Sequence, residues 1–258
     1  MHLKLKTRVS RSSQKDEDEE MKIKFLGIWS SHLTDFQRNV SISIDDKIVI
    51  EFGPHTMESL FENHIDPRKI EIALISHMHL DHFSGLPELL WYRAEEKVKD
   101  ELTIMGPKGI KEATEKMLDL LNTPSNYVSA VNVNFMEGNR LDFISASNGD
   151  HIIPDNVYLI DHPSGSVVYS GDTSYSESVV RAASGAEYLI HEMTYADSNM
   201  EPANFWKHST YSSVMKVAEE SNCKKVVPIH FTSESLQQVW EQGKKNPRII
   251  FPFREIDI

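Results

Sequence analysis

The chain has 258 residues, 40% of them apolar, and sets 27 basic against 39 acidic side chains for a formal charge of −12. No stretch approaches the roughly 18–20 apolar residues of a membrane span. The acid surplus argues against a module that grips polyanions through clustered Lys and Arg, although bound divalent cations would offset it locally and leave nucleic acid open. One cysteine, Cys223, excludes a disulfide framework and a Cys-based zinc site. The first residues lack the apolar core of a signal peptide, so a soluble cytoplasmic protein is the expectation.

Residues 1–20 stand apart. Five positive charges within 4–15 precede the run Asp16-Glu17-Asp18-Glu19-Glu20, so the segment is neutral and residues 21–258 carry the whole surplus. Such a block reads as a mobile tail, or as sequence translated ahead of a natural start at Met21, with one folded domain over 21–258. A strand begins at Met21. Two more, over 40–44 and 47–51, are joined by a turn at Asp45-Asp46. A helix over 57–63 leads to a short buried strand over 70–75, a helix over 86–96, a strand over 102–105 and an amphipathic helix over 109–121. Residues 128–160 are β-like. Strands over 167–170 and 188–190 flank a helix over 176–183. A helix over 210–221 precedes a strand over 225–229, and 248–258 is expected to close as a final strand. Meanders followed by βα units predict helices packed outside two sheets, a layered α/β arrangement.

The strongest chemical signal is Ser76-His77-Met78-His79-Leu80-Asp81-His82, directly after the strand over 70–75. Imidazole and carboxylate are ligands for zinc-like ions. His77 and His79, two apart in an extended segment, point the same way and can hold one ion. Asp81 and His82, where the chain turns into a helix, can reach a second. Other apolar runs also end in such residues: Gly171-Asp172 after Tyr169-Ser170, His191-Glu192 after Leu189-Ile190, and His230 after Val227-Pro228-Ile229. Asp150-His151 opens a β-stretch, and Lys207-His208-Ser209-Thr210 precedes a helix that its Ser or Thr can cap. Singly, His151 reads as a surface histidine, and Gly-Asp reads equally as a simple turn or as a carboxylate placed to bridge two metals. Together, several strand ends presenting His or Asp imply one shared edge, where open α/β sheets place their sites.

The ordered series His77-x-His79-x-Asp81-His82, His151, Asp172 and His230 resembles the metallo-β-lactamase superfamily of binuclear metal hydrolases. Gly171-Asp172-Thr173, His191-Glu192-x-Thr194-Tyr195 and His208-Ser209-Thr210 are similar to its ribonuclease Z branch, and the resemblance runs from about Met21 to Ile258. It implies an αββα sandwich with His77, His79 and His151 on one metal, Asp81, His82 and His230 on a second, and Asp172 bridging. It implies a shared hydroxide as nucleophile, His208 assisting proton transfer under the orientation of Glu192, and His191 supporting the site from behind. Zinc is the metal expected, manganese the alternative.

The chain departs from that branch in three places. Twenty residues separate His151 from Asp172, where ribonuclease Z proteins insert a long arm that grips transfer RNA; Asp161-His162-Pro163-Ser164-Gly165 reads as a hairpin turn. The Gly-rich first loop becomes Gly27-Ile28-Trp29-Ser30-Ser31-His32, and Glu51 stands where an Asp is expected. The expected substrate is therefore a small phosphodiester, with Lys207 the nearest phosphate anchor and Trp206 at its side. Hydrolysis of another ester, lactone or sulfate, and transfer RNA 3′ cleavage, are the alternatives, and RNA is disfavoured. A non-catalytic binding role is the remote one, and a homodimer enters by analogy alone.

Overall fold

The computed structural model describes residues 20–33, 36–253 and 255–257. The expected tail over 1–20 lies outside them apart from Glu20. The strands are β1 (Lys22–Gly27), β2 (Ser41–Ile44), β3 (Ile48–Ile50), β4 (Ile72–Leu74), β5 (Leu102–Met105), β6 (Val133–Met136), β7 (Arg140–Leu141), β8 (Ile144–Asn148), β9 (Asn156–His162), β10 (Gly165–Tyr169), β11 (Tyr188–Glu192), β12 (Lys225–Ile229) and β13 (Ile256–Asp257). The helices are α1 (Thr56–Glu62), α2 (Leu80–Phe83), α3 (Leu86–Glu95), α4 (Ile110–Leu120), α5 (Ser125–Val128), α6 (Glu177–Ala182), α7 (Met200–Trp206), α8 (Tyr211–Ser221) and α9 (Ser233–Gln238). No helix among the described residues is long and apolar enough to cross a membrane.

Two sheets form, one in the order β13-β1-β2-β3-β4-β5-β6 and the other β12-β11-β10-β9-β8-β7. The side-chain period of two explains how they stack. Ile48 and Ile50 of β3 join the core shared with Ile160, Val167 and Val227 of the second sheet, whereas Val49 between them packs into a separate cluster with Leu60, Leu86, Leu89 and Ile110. The first sheet is thus buried on both faces, by the second sheet and by α1, α3 and α4. Helices α6 and α8 lie against β9 and β11 of the second sheet. This is the expected αββα arrangement. The runs β3-β4-β5-β6 and β10-β11-β12 are parallel, so their carboxyl ends gather along one edge.

The expected strand over 248–258 is corrected. Val226 donates to the Arg248 carbonyl and Ile250 donates to the Val226 carbonyl, which holds the start of this segment against the second sheet, while Ile256 pairs with Ile23 in the first. The chain crosses between sheets near Pro252, which has no N–H for a ladder. Within 128–160 the expected β character holds for β6 to β9, but residues 149–155 form bends and not strand, and α5 occupies 125–128. Short helices α7 and α9 were not expected from the sequence.

Candidate metal centre

Strand ends deliver the site. The chain leaves β4 through Ser76 into His77, and His79 precedes α2, whose first turn carries Asp81 and His82. Phe52, after β3, donates its N–H to the His82 carbonyl at 2.7 Å and so pins α2 to the sheet edge. The approach leaves no room for a side chain at Gly53, where a Cβ would fall 1.9 Å from the Asp81 carbonyl oxygen. Asp172 follows β10, Glu192 ends β11, His230 follows β12, and His151 comes from the 149–155 loop. Glu51 and His230 both take a positive φ, 61° and 60°, and such strain gathers where a surrounding structure over-determines the backbone.

Two groups of donor atoms converge, His77, His79, His151 and Asp172 in one and Asp81, His82 and His230 in the other; a third, overlapping group joins Asp172 and His230 to His208, and in each the donor atoms lie within 4.8 Å of one another. In the first, Nδ1 of His79 lies 2.9 Å from Nε2 of His77 and 3.4 Å from Nε2 of His151. In the second, Nε2 of His230 lies 3.2 Å from Nε2 of His82 and 3.3 Å from Oδ2 of Asp81. Oδ2 of Asp172 stands between them, 3.7 Å from His77, 3.4 Å from His82 and 3.4 Å from His230. The seven residues expected as ligands are thus brought together, with His208 beside them.

The donor set fits divalent cations. A tetrahedral ion with nitrogen bonds of about 2.0–2.1 Å separates its ligands by about 3.4 Å, close to these spacings. Oδ1 of Asp172 is buried without a hydrogen-bond partner among the described residues, which is costly unless a cation meets it. Burial lowers His77 strongly, and lowers His79 and His151, keeping these rings in the neutral form that metal ligands need. Burial would raise Asp172 and Asp81, but the neighbouring histidines outweigh it, His230 and His82 for Asp172 and His82 and His230 for Asp81, and hold both carboxyls below the usual range. Burial opposes charge on His82 too, yet Asp172, Glu51 and Asp81 raise it well above an ordinary imidazole. Carboxylates in this cage demand positive charge.

Beside the clusters lies a hydrogen-bond hub. The Glu192 carboxylate receives five donors: Thr173 N–H, Ser209 N–H and His208 Nδ1 on Oε1, and the Thr194 N–H and hydroxyl on Oε2, at 2.8–3.1 Å. Burial works against its charge, but His208 holds it ionised, with its pKa below the usual value. Burial would also lower His208, and Glu192 reverses that and pushes it up to about 9. Because Thr194 gives its proton to Glu192, its oxygen is left to accept from Nδ1 of His230 at 2.7 Å, which leaves Nε2 of that ring bare.

Three supporting residues were given no role by the sequence reading. Glu51, fully buried, accepts the Ser76 N–H at 3.1 Å and lies 3.5 Å from Nδ1 of His82. Its signal was present: it ends an apolar strand, as Asp172 does. Asp155 lies 3.0 Å from Nδ1 of His77, and burial, with Asp172 and Glu51 nearby, raises its carboxyl well above the usual range. In a loop, it gave no periodic signal. Thr194 was visible only as a motif letter. His191, expected in support, is fully buried with Nδ1 2.8 Å from the Glu192 carbonyl, outside both donor groups. Lys207, expected to anchor substrate, already pairs with Asp150 at 3.1 Å, and its carbonyl lies 3.2 Å from Nδ1 of His151. Phe205 and Trp206 pack edge to face, 71% and 47% exposed.

A family model described as the beta-lactamase superfamily domain matches residues 48–231. Among curated relatives, the ribonuclease Z of Bacillus velezensis is 26% identical over 81% of this chain and 88% of its own length, and that of Bacillus subtilis 28% over 79% and 84%. Three solved structures share the fold: the metallo-beta-lactamase fold protein YhfI of Bacillus subtilis (TM-score 0.78, 16% identity, 93% of this chain and 100% of that one), the short form of human tRNase Z (0.73, 21%, 91% and 98%), and a diphosphatase of the PhnP family (0.71, 14%, 92% and 97%).

Proposed function

This chain belongs to the beta-lactamase superfamily, and from that premise we propose that it is a metal-dependent hydrolase that cleaves a phosphodiester. The observation that carries the reading is the placement of the Glu192–His208 pair beside two donor clusters joined through Asp172. His77, His79 and His151 would hold one cation, Asp81, His82 and His230 a second, with Asp172 between. Two divalent ions there would lower the pKa of bound water and offset the charge of a phosphoryl group. Zinc suits the His-rich donor set best, with manganese the alternative.

The protein's own groups supply the rest. Glu192 occupies Nδ1 of His208, so Nε2 is the nitrogen left to hand a proton to a leaving oxygen. In the metal-free protein Glu192 overcomes burial and pushes that ring up to about 9, which favours its charged form. The imidazolium also stands near the anion that develops during cleavage, where a fixed charge is worth most.

A small phosphodiester is the favoured substrate. Strands β9 and β10 meet through Pro163 and Ser164 alone, so this connection carries no RNA-binding arm, and the chain is acidic overall. The named ribonuclease Z relatives favour transfer RNA 3′ cleavage as the second reading. The buried, unpaired Cys223 suits a reducing cytoplasm, residues 21–258 act as one domain, and a homodimer remains an analogy.

The test is hydrolysis of bis(p-nitrophenyl) phosphate by chelator-stripped protein resupplied with zinc or manganese. Metal-dependent turnover is expected. Its absence with two ions bound would sink the phosphodiesterase reading and move the search to lactones, thioesters and sulfates.

A further inference from the structure

Asp155 takes no part in the proton transfer assigned above, yet it is buried beneath the first donor cluster, touches two of its members and closes the loop that presents a third. Its Oδ1 lies 3.0 Å from Nδ1 of His77. The same oxygen accepts the backbone N–H of Asp172 at 3.2 Å. Its own carbonyl accepts from Gly149 N–H at 2.9 Å, which closes the loop that presents His151, and the next residue, Asn156, donates to the Ser76 carbonyl beside His77. One side chain and its peptide thus tie together the segments that carry His77, His151 and Asp172.

The surrounding backbone is built around this carboxylate. Gly171 takes φ 60°, and a Cβ there would fall 2.2 Å from Oδ2 of Asp155; a Cβ on Gly149 would fall 2.8 Å from the same atom. The second cluster is oriented by different groups, Glu51 behind His82 and Thr194 behind His230.

We infer that Asp155 is a positioning residue that sets the cation affinity of the first cluster, acting through His77. A carboxylate oxygen 3.0 Å from a ring nitrogen requires a proton between them. With a cation on Nε2, that proton sits on Nδ1, so Asp155 fixes the tautomer, aims the ring and makes Nε2 a better donor. Ser76 Oγ, 2.9 Å from the same nitrogen, shares the proton as a neutral acceptor. The inference rests on the two-cation reading of the site and adds to it an asymmetry between the clusters.

The test titrates zinc or cobalt into the chelator-stripped full chain against a chromophoric chelator, reading each binding step. Wild type should show two steps. In D155N, one step should weaken about 10- to 100-fold while the other stays within about 3-fold, and D155A should lose at least as much at the same step. In an H151A background, which removes a first-cluster donor, D155N should leave the surviving step unchanged. Nitrogen NMR of the zinc-loaded wild type should find Nδ1 of His77 protonated, a readout that survives even if the variants fail to fold. Unaltered steps in folded D155N and D155A, equal weakening of both steps, or an unprotonated Nδ1 on His77 would overturn the inference and leave the hydrolase reading standing. A wild type that binds no cation would overturn both.

Discussion

Nδ1 of His208 lies 3.0 Å from Oε1 of Glu192, an oxygen that also receives the Thr173 and Ser209 N–H groups. The carboxylate is held from several sides, so the imidazole is aimed as well as charged. Replacing His208 by Ala removes the proton donor, a neighbour of Asp172 and His230, while leaving the seven expected ligands in place. Turnover should fall by about 100-fold or more while metal content is retained, since general acid–base groups contribute on the order of 10²–10⁴. E192Q keeps the shape but drops the charge and should lose activity in the same direction, by less. Steady-state rates beside metal analysis check both.

The same pair makes the metal-free protein pH-sensitive. A folded pKa of about 9 against an ordinary 6.5 means that the fold favours the charged ring. That contribution to stability is complete below about pH 6.5 and is lost as pH rises through about 9. E192Q should remove it, so the stability difference between wild type and E192Q, measured by urea unfolding of stripped protein, should shrink across that window. A difference constant from pH 6 to pH 10 would contradict the pairing.

Arg93 tests the fold away from the site. Its guanidinium is fully buried and donates to the carbonyls of Pro67, Arg68, Ile70 and Asp100. R93M would fill much of the volume but leave those carbonyls without partners, so unfolding should cost at least about 3 kcal/mol less than in wild type. Denaturant titration reads this directly, and activity at low temperature should persist.

Phe205 and Trp206 stand exposed one or two residues from Lys207, whose carbonyl meets His151. A substrate with an aromatic group can stack there for about 1 kcal/mol or more. F205A/W206A should therefore raise KM for bis(p-nitrophenyl) phosphate by about 5-fold, with kcat little changed, and leave KM for an aliphatic phosphodiester unaltered.

Much of the site was legible because parallel strands expose their carboxyl ends, and apolar runs ending in His or Asp mark those ends in the sequence. His77, Asp172, Glu192 and His230 all carried that mark. Asp155 did not, because a loop residue has no period and its role exists only once β4 and the 149–155 segment meet. The last eleven residues misled for a related reason: 248–258 is apolar enough for one strand, but its pieces serve two sheets. Helix α7 carries Pro202 and leaves Met200, Phe205 and Trp206 exposed, so it shows no buried apolar face, and α9 is short and polar.

The most direct measurement follows bound zinc and phosphodiester turnover together as the ion is added to stripped protein. Turnover should stay low through the first equivalent, rise with the second, and be nearly absent in H208A at the same metal content. Full occupancy by two ions without turnover, or turnover that survives intact in H208A, would contradict a two-cation phosphodiesterase that uses His208.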